Sequence, residues 1–377
     1  MERTLNRLHR GTTNALPMNR LLDPDALRAL ARGCAVLGAG GGGDTYLALL
    51  QALQATEDYG PVPLVDLDEL PGDSLIMPCG GIGAPTVSIE KLENGDEGER
   101  LREQLEYLTG RRVAALMAGE IGGGNGVLPV AWAAGMRLPL VDADGMGRAF
   151  PEIPQVTMQL AGISPSPAVM TDERGNLIVL RTISGDWMER LERAAAAEFG
   201  GAASSTEFSL TAAEARGATI PDSVSLAIRI GEAVTGAAGD PVGALIAEIG
   251  AFRLITGKVS DVERQTRSGF VRGSMVIQGS GADAGRLLRV ELQNENLVAL
   301  ERGKVLASVP DLITVLDSET ADAIATERIR YGQRVTVIAF ACAPIWRTER
   351  GIAATGPRKF GYEFDFQPVE ELAGATT

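Results

Sequence analysis

The sequence predicts an α/β protein: an N-terminal, mostly parallel α/β domain with glycine-rich loops over residues 1–165, and a C-terminal mixed, strand-rich α+β domain over residues 166–377 that covers the cleft. Three observations lead there. In the first 165 residues short apolar runs alternate with helix-like segments and exit into glycines or acids, as buried parallel strands do. Beyond residue 165 alternating runs and turn signals take over. The chain's 377 residues also exceed what one core ordinarily holds.

In order, Asp23-Pro24 opens a helix over residues 25–32, with Gly33 as its stop. Residues 34–37 form a short apolar strand, residues 38–43 a glycine loop, and residues 44–54 a helix with Leu47, Leu50 and Leu53 on one face. The pattern recurs: residues 62–65 lead to Asp66 and Asp68, residues 75–78 to Cys79-Gly80-Gly81-Ile82-Gly83, and residues 113–117 to Gly119-Glu120-Ile121-Gly122-Gly123-Gly124-Asn125-Gly126. Residues 138–141 form the strand that ends in Asp142, Asp144, Arg148 and Glu152. In the second half, residues 168–171 and 177–183 read as a hairpin, and residues 186–199, 221–234 and 241–249 as helices. Residues 271–278, 286–292, 296–300, 312–316 and 335–341 read as strands.

Composition excludes several function classes. With 35 basic and 49 acidic residues the formal charge is −14, which repels nucleic acid and anionic lipid alike. No early apolar segment suggests a signal peptide and no run reaches membrane-spanning length, so no membrane partner is expected. Cys34, Cys79 and Cys342 are too few for a disulfide framework, and a cytoplasmic location is the expectation. The single histidine, His9, sits in an N-terminal arm, so general-base work falls to carboxylates, Cys79, a lysine or a tyrosine.

Asp142 and Asp144 are two apart at a strand end, and period-two alternation sends both to one side. Two such acids need a cation, Arg148, or a shared proton. The duller reading makes Asp142 a turn cap and pairs Arg148 with Glu152. Glu120, set among glycines at a neighbouring strand end, is expected beside them as a base with a raised pKa or as a metal ligand. Glu120, Asp142 and Asp144 offer hard oxygen donors suited to magnesium or manganese, and Cys79 extends the choice to zinc; alternatively the acids pair with Arg148 and Lys91. The glycine loops are read as backbone nests for an anion or developing oxyanion, or as points of close approach. Gly41, Gly42, Gly43, Asp44, Gly81, Gly83, Gly123, Asn125 and Glu152 are the expected substrate contacts. Residues 38–43, following the strand at 34–37 and preceding a helix, also satisfy the dinucleotide fingerprint, with Asp66 near the distance of a ribose-binding acid, although a run of glycines meets many patterns by chance, and no nucleotide cofactor is expected.

These residues resemble the S-methyl-thiohydantoin desulfurase-like family, described as hydantoinase/oxoprolinase-associated. The likeness spans nearly the whole chain. It rests on Gly40-Gly41-Gly42-Gly43-Asp44, Gly83-Ala84-Pro85-Thr86-Val87 with Glu90-Lys91, Glu120-Ile121-Gly122-Gly123-Gly124-Asn125 and the run from Asp142 to Glu152. Gly269-Phe270, Gln293-Asn294-Glu295-Asn296-Leu297, Pro310-Asp311-Leu312-Ile313 and Tyr331-Gly332-Gln333-Arg334-Val335 continue it. The resemblance implies two domains and hydrolytic removal of sulfur from thiohydantoins, giving the hydantoin, in bacterial or archaeal catabolism of cyclic imides. The catalytic set Glu120, Asp142, Asp144 and Arg148, the zinc or manganese ion, a homo-oligomer and a partner hydantoinase/oxoprolinase subunit are expectations. So are a noncatalytic partner role and, through the first glycine loop, an oxidoreductase.

Overall fold

The computed structural model describes residues 20–83, 87, 90–267 and 270–374. His9, the Ala84-Pro85-Thr86 part of one motif, and Gly269 of another lie outside them. Among the described residues the strands fall into one sheet of ten and one of seven. The first contains β1 (Arg20–Leu22), β2 (Val62–Val65), β3 (Leu75–Gly83), β4 (Val113–Ala118), β5 (Leu140–Asp144), β6 (Ala168–Thr171), β7 (Leu177–Leu180), β8 (Ala202–Thr206), β9 (Leu210–Thr211) and β10 (Ile220–Pro221). Its order is β1-β2-β5-β4-β3-β8-β6-β7, parallel from β2 through β3 and antiparallel beyond. The second contains β11 (Phe252–Arg267), β12 (Phe270–Gly279), β13 (Leu287–Gln293), β14 (Glu295–Glu301), β15 (Lys304–Ser308), β16 (Leu312–Asp317) and β17 (Arg334–Phe340), all antiparallel, in the order β15-β14-β13-β12-β11-β17-β16. One core runs from β2–β5 into Leu297, Val309, Leu312 and Phe340 of the second sheet region.

Residues 34–37 are helix, not strand. Helix α1 runs Pro24–Leu37, its start capped by Asp23, and buries Leu27, Leu30, Cys34 and Leu37 along one stripe. Gly33 does not stop it. A Cβ there would lie 1.8 Å from the Ala227 carbonyl oxygen, and a Cβ at Gly231 would lie 2.0 Å from that of Ala29. The two glycines let α1 cross a later helix, Ser223–Thr235, backbone against backbone. The glycine loop therefore joins α1 to α2 (Thr45–Tyr59), helix to helix. Without a preceding strand the dinucleotide fingerprint is not met.

The second expected glycine loop is likewise part of a strand. Gly80 to Gly83 continue β3 and pair with Ser205 to Ala202 of β8, and Gly83 lies so close to Gly201 that a Cβ would sit 2.3 Å from its carbonyl oxygen. Small residues let this half of β3 leave the parallel core and bind a strand from the other side. Among the described helices none is long and apolar enough to cross a membrane.

Candidate functional site

A cavity of about 450 Å³ opens where β3 changes neighbours. Its walls come from Cys79–Gly83 territory on β3, the loop after β4, α2 with Gly42 to Asp44, Phe150 to Ile153, Ser204 to Phe208, and Asn294 and Glu295 from the second sheet. That volume suits a small ring bearing a substituent.

Glu120 stands on the first residues beyond β4 and faces this cavity. Its Oε1 accepts a hydrogen bond from Asn125 Nδ2 at 2.6 Å and its Oε2 one from the Phe150 N–H at 3.3 Å. Asn125 is itself fixed on β3, accepting from the Gly81 N–H at 2.8 Å and donating to the Gly81 carbonyl at 3.0 Å. A Cβ at Gly81 would meet Asn125 Oδ1 at 3.3 Å, a tight contact that would displace the amide by a few tenths of an ångström. Burial pushes the Glu120 carboxyl up to about 7 against the pull of those two donors, and the Asp144 charge adds to the rise. Near neutral pH such a group exchanges protons readily.

Asp142 and Asp144 do not form a pair on this cavity. Asp144 is fully buried, and its Oδ2 accepts from the N–H groups of Ile121, Met146 and Gly147 at 2.8, 2.9 and 2.7 Å. This is a backbone nest, and the anion that fills it belongs to the chain. Burial raises Asp144 to about 6, opposed by those three amides. Asp142 instead accepts from Arg20 at 2.7 Å and from the N–H and hydroxyl of Ser225. Its acidic neighbours are Asp66 and Asp222, and among the described residues this trio is the one cluster with metal-ligand spacing. Glu120, Asp142, Asp144 and Cys79 are thus not brought to one point. Cys79 lines the cavity, but burial drives its thiol far up, so it stays protonated, directed at the Met117 carbonyl.

Arg148 is buried and clamps the second domain region, donating from Nη1 to the carbonyls of Pro310 and Asp311 at 2.7 and 3.0 Å. It pairs with neither Glu152, whose partner is Lys359, nor the cavity directly. Asp44 caps α2 and pairs with Arg328. The glycine loops interlock: the N–H groups of Gly124 and Asn125 donate to the carbonyls of Gly43 and Gly42, and a Cβ at Gly123 would lie 2.4 Å from Gly42. Close approach, not an oxyanion nest, accounts for Gly41, Gly42 and Gly123. Of the expected contacts, Gly42, Gly43, Asp44, Gly81, Gly83, Asn125 and Glu152 line the cavity; Gly41 and Gly123 lie behind it.

Sequence reasoning missed three acids. Glu93 and Glu207 line the cavity with carboxyls raised by burial, Glu93 to about 7. Glu295 lines it too, from the run that the sequence offered only as part of the family resemblance. An acid between two asparagines, just ahead of the apolar run 297–300, was the signal for Glu295; Glu207 and Glu93 carried none.

Two family models cover this chain: S-Me-THD-like, N-terminal domain, over residues 25–182, and S-Me-THD-like, C-terminal domain, over residues 183–369. No curated protein matches it. A protein from Chromobacterium violaceum solved by X-ray crystallography is similar in fold, with a TM-score of 0.78 and 23% identity, covering 93% of this chain and 100% of its own.

Proposed function

The chain belongs to the S-Me-THD-like family, and from that premise we propose that it hydrolyses the C2–sulfur bond of a thiohydantoin, or its S-methyl form, to the hydantoin. One observation carries this reading: Glu120, held by Asn125 and the Phe150 amide with a carboxyl near neutrality, faces a cavity of ring size. In ionised form it takes a proton from water as the water oxygen bonds to C2. It returns that proton to sulfur as the C2–S bond breaks, so methanethiol or sulfide leaves and the hydantoin carbonyl forms. Asn125 keeps the carboxylate aimed, and Ile82, Phe150 and Phe208 supply apolar wall for a flat ring.

The test is release of methanethiol and sulfide from 5-substituted 2-thiohydantoins and their S-methyl forms. Wild-type protein should exceed the blank, and Glu120→Gln should lose at least about 100-fold in kcat. Release unaltered in that variant would remove Glu120 from the chemistry. Silence from folded wild type across the panel would remove the reaction.

A further inference from the structure

Opposite Glu120 stands a second carboxyl that the hydrolysis as drawn leaves unused. Glu295 opens β14, so it comes from the other sheet, yet it lines the same cavity. It is 2% exposed, and its Oε2 has no hydrogen-bond partner among the described residues. Its other oxygen rests on the glycine loop, where a Cβ at Gly41 would lie 2.1 Å from Oε1. The chain holds it there: the Asn296 N–H donates to the Ala39 carbonyl at 2.8 Å and the Thr326 N–H to that of Gly40 at 2.9 Å. A carboxyl seated on a glycine loop that is itself held by backbone hydrogen bonds, but with one oxygen unspent at a cavity wall, has a free position for a ligand atom.

We propose that Glu295 is the general acid of the site, donating its proton from Oε2 to the ring nitrogen adjoining C2 while Glu120 activates water. The proposal rests on the hydrolytic reading above. The protons balance for an S-methyl substrate. In the first step C2 gains the water oxygen, the ring nitrogen gains the Glu295 proton, and Glu120 takes one from water. In the second, the C2–S bond breaks, sulfur takes the proton from Glu120, and the C2 hydroxyl returns one to Glu295 as the carbonyl forms. Both carboxyls are restored. Their environments fit the division: burial and the Glu120 charge hold Glu295 well above the ordinary carboxyl range, against the pull of Arg148. Gly41 is then explained as the residue small enough to seat the acid.

The experiment compares methanethiol release by wild type, Glu295→Gln and Glu295→Asp over pH 5–10, with circular dichroism as the fold check. Expected are activity that falls at high pH in wild type, a kcat lower by about 100-fold or more in Glu295→Gln with KM within about twofold, and loss of the alkaline fall in that variant. A merely structural role would leave that limb in place. Glu295→Gln with wild-type kcat and an unaltered limb overturns the proposal while the hydrolysis stands. Wild type that releases nothing overturns both. Should Glu295→Gln not fold, Glu295→Asp decides: an alkaline fall displaced from its wild-type pH together with reduced kcat supports the acid, and a fall at the wild-type pH removes it.

Discussion

Burial acts alike on Glu120 and Asp144, but their partners separate them. Asp144 has three backbone donors on one oxygen and rises to about 6; Glu120 has one strong and one long donor and rises to about 7. Asp144 is thereby committed to the loop amides, whereas Glu120 faces the cavity and is the one placed to exchange protons with a ligand. Asp144→Asn should therefore lower kcat by about tenfold or more through loss of loop geometry, and reduce stability by about 2 kcal/mol, since a charge-assisted acceptor of three amides is gone. Urea unfolding alongside kinetics checks it; unchanged stability would show that the amides do not need the charge. At this scale the sequence made Glu120 legible, because an acid amid glycines at a strand end has few structural uses. It misassigned Asp142, since nothing local announces that Arg20, 122 residues away, will take its charge.

The helix pair made by α1 and the Ser223–Thr235 helix turns on two glycines that sequence rules read as a stop and as nothing in particular. Gly33→Val puts a side chain where the Ala227 carbonyl already stands, so it should destabilise by about 3 kcal/mol or more. Gly217→Ala, in the helix Ala212–Ala218 with open space around it, should be neutral or stabilise by about 0.5 kcal/mol. Equal effects of the two in thermal melts would refute the close-crossing account. Apolar runs such as β4 and β16 were readable because near-continuous burial selects near-continuous hydrophobicity. The long strand β11 was not, its alternating charged residues resembling a surface segment. The helix Gly185–Glu198 held a hint: Glu192 lies on the stripe of Met188 and Ala196, and it is buried with its carboxyl against that of Glu207.

The whole molecule keeps an excess of acid inside as well as out. Glu93, Glu120, Asp144, Glu192, Glu207 and Glu295 all have carboxyls raised by burial. Between the ordinary carboxyl value of about 4.3 and about 7, the folded chain keeps protons that the unfolded chain has released. That stability is complete below the lower value and is lost as pH rises through the upper. Tm should thus fall between pH 5.5 and 8, and a Tm that climbs over that range would contradict the buried-acid interior. Two tethers join the region after β5 to the loops of the second sheet: Arg148 to the Pro310 and Asp311 carbonyls, and the Trp346 ring N–H to the Met146 carbonyl at 2.6 Å. Each tether joins residues more than 150 positions apart.

By itself the sequence determined the α/β class and the strand-rich second half and singled out Glu120, which lines the cavity, because alternation, apolar continuity and an acid among glycines are local signals. Only the tertiary structure decided that Asp142 and Asp144 part company, that the glycines interlock instead of cradling an anion, and that Glu295 comes to face Glu120. Those outcomes depend on which distant backbone group reaches each carboxylate, and burial then sets its proton.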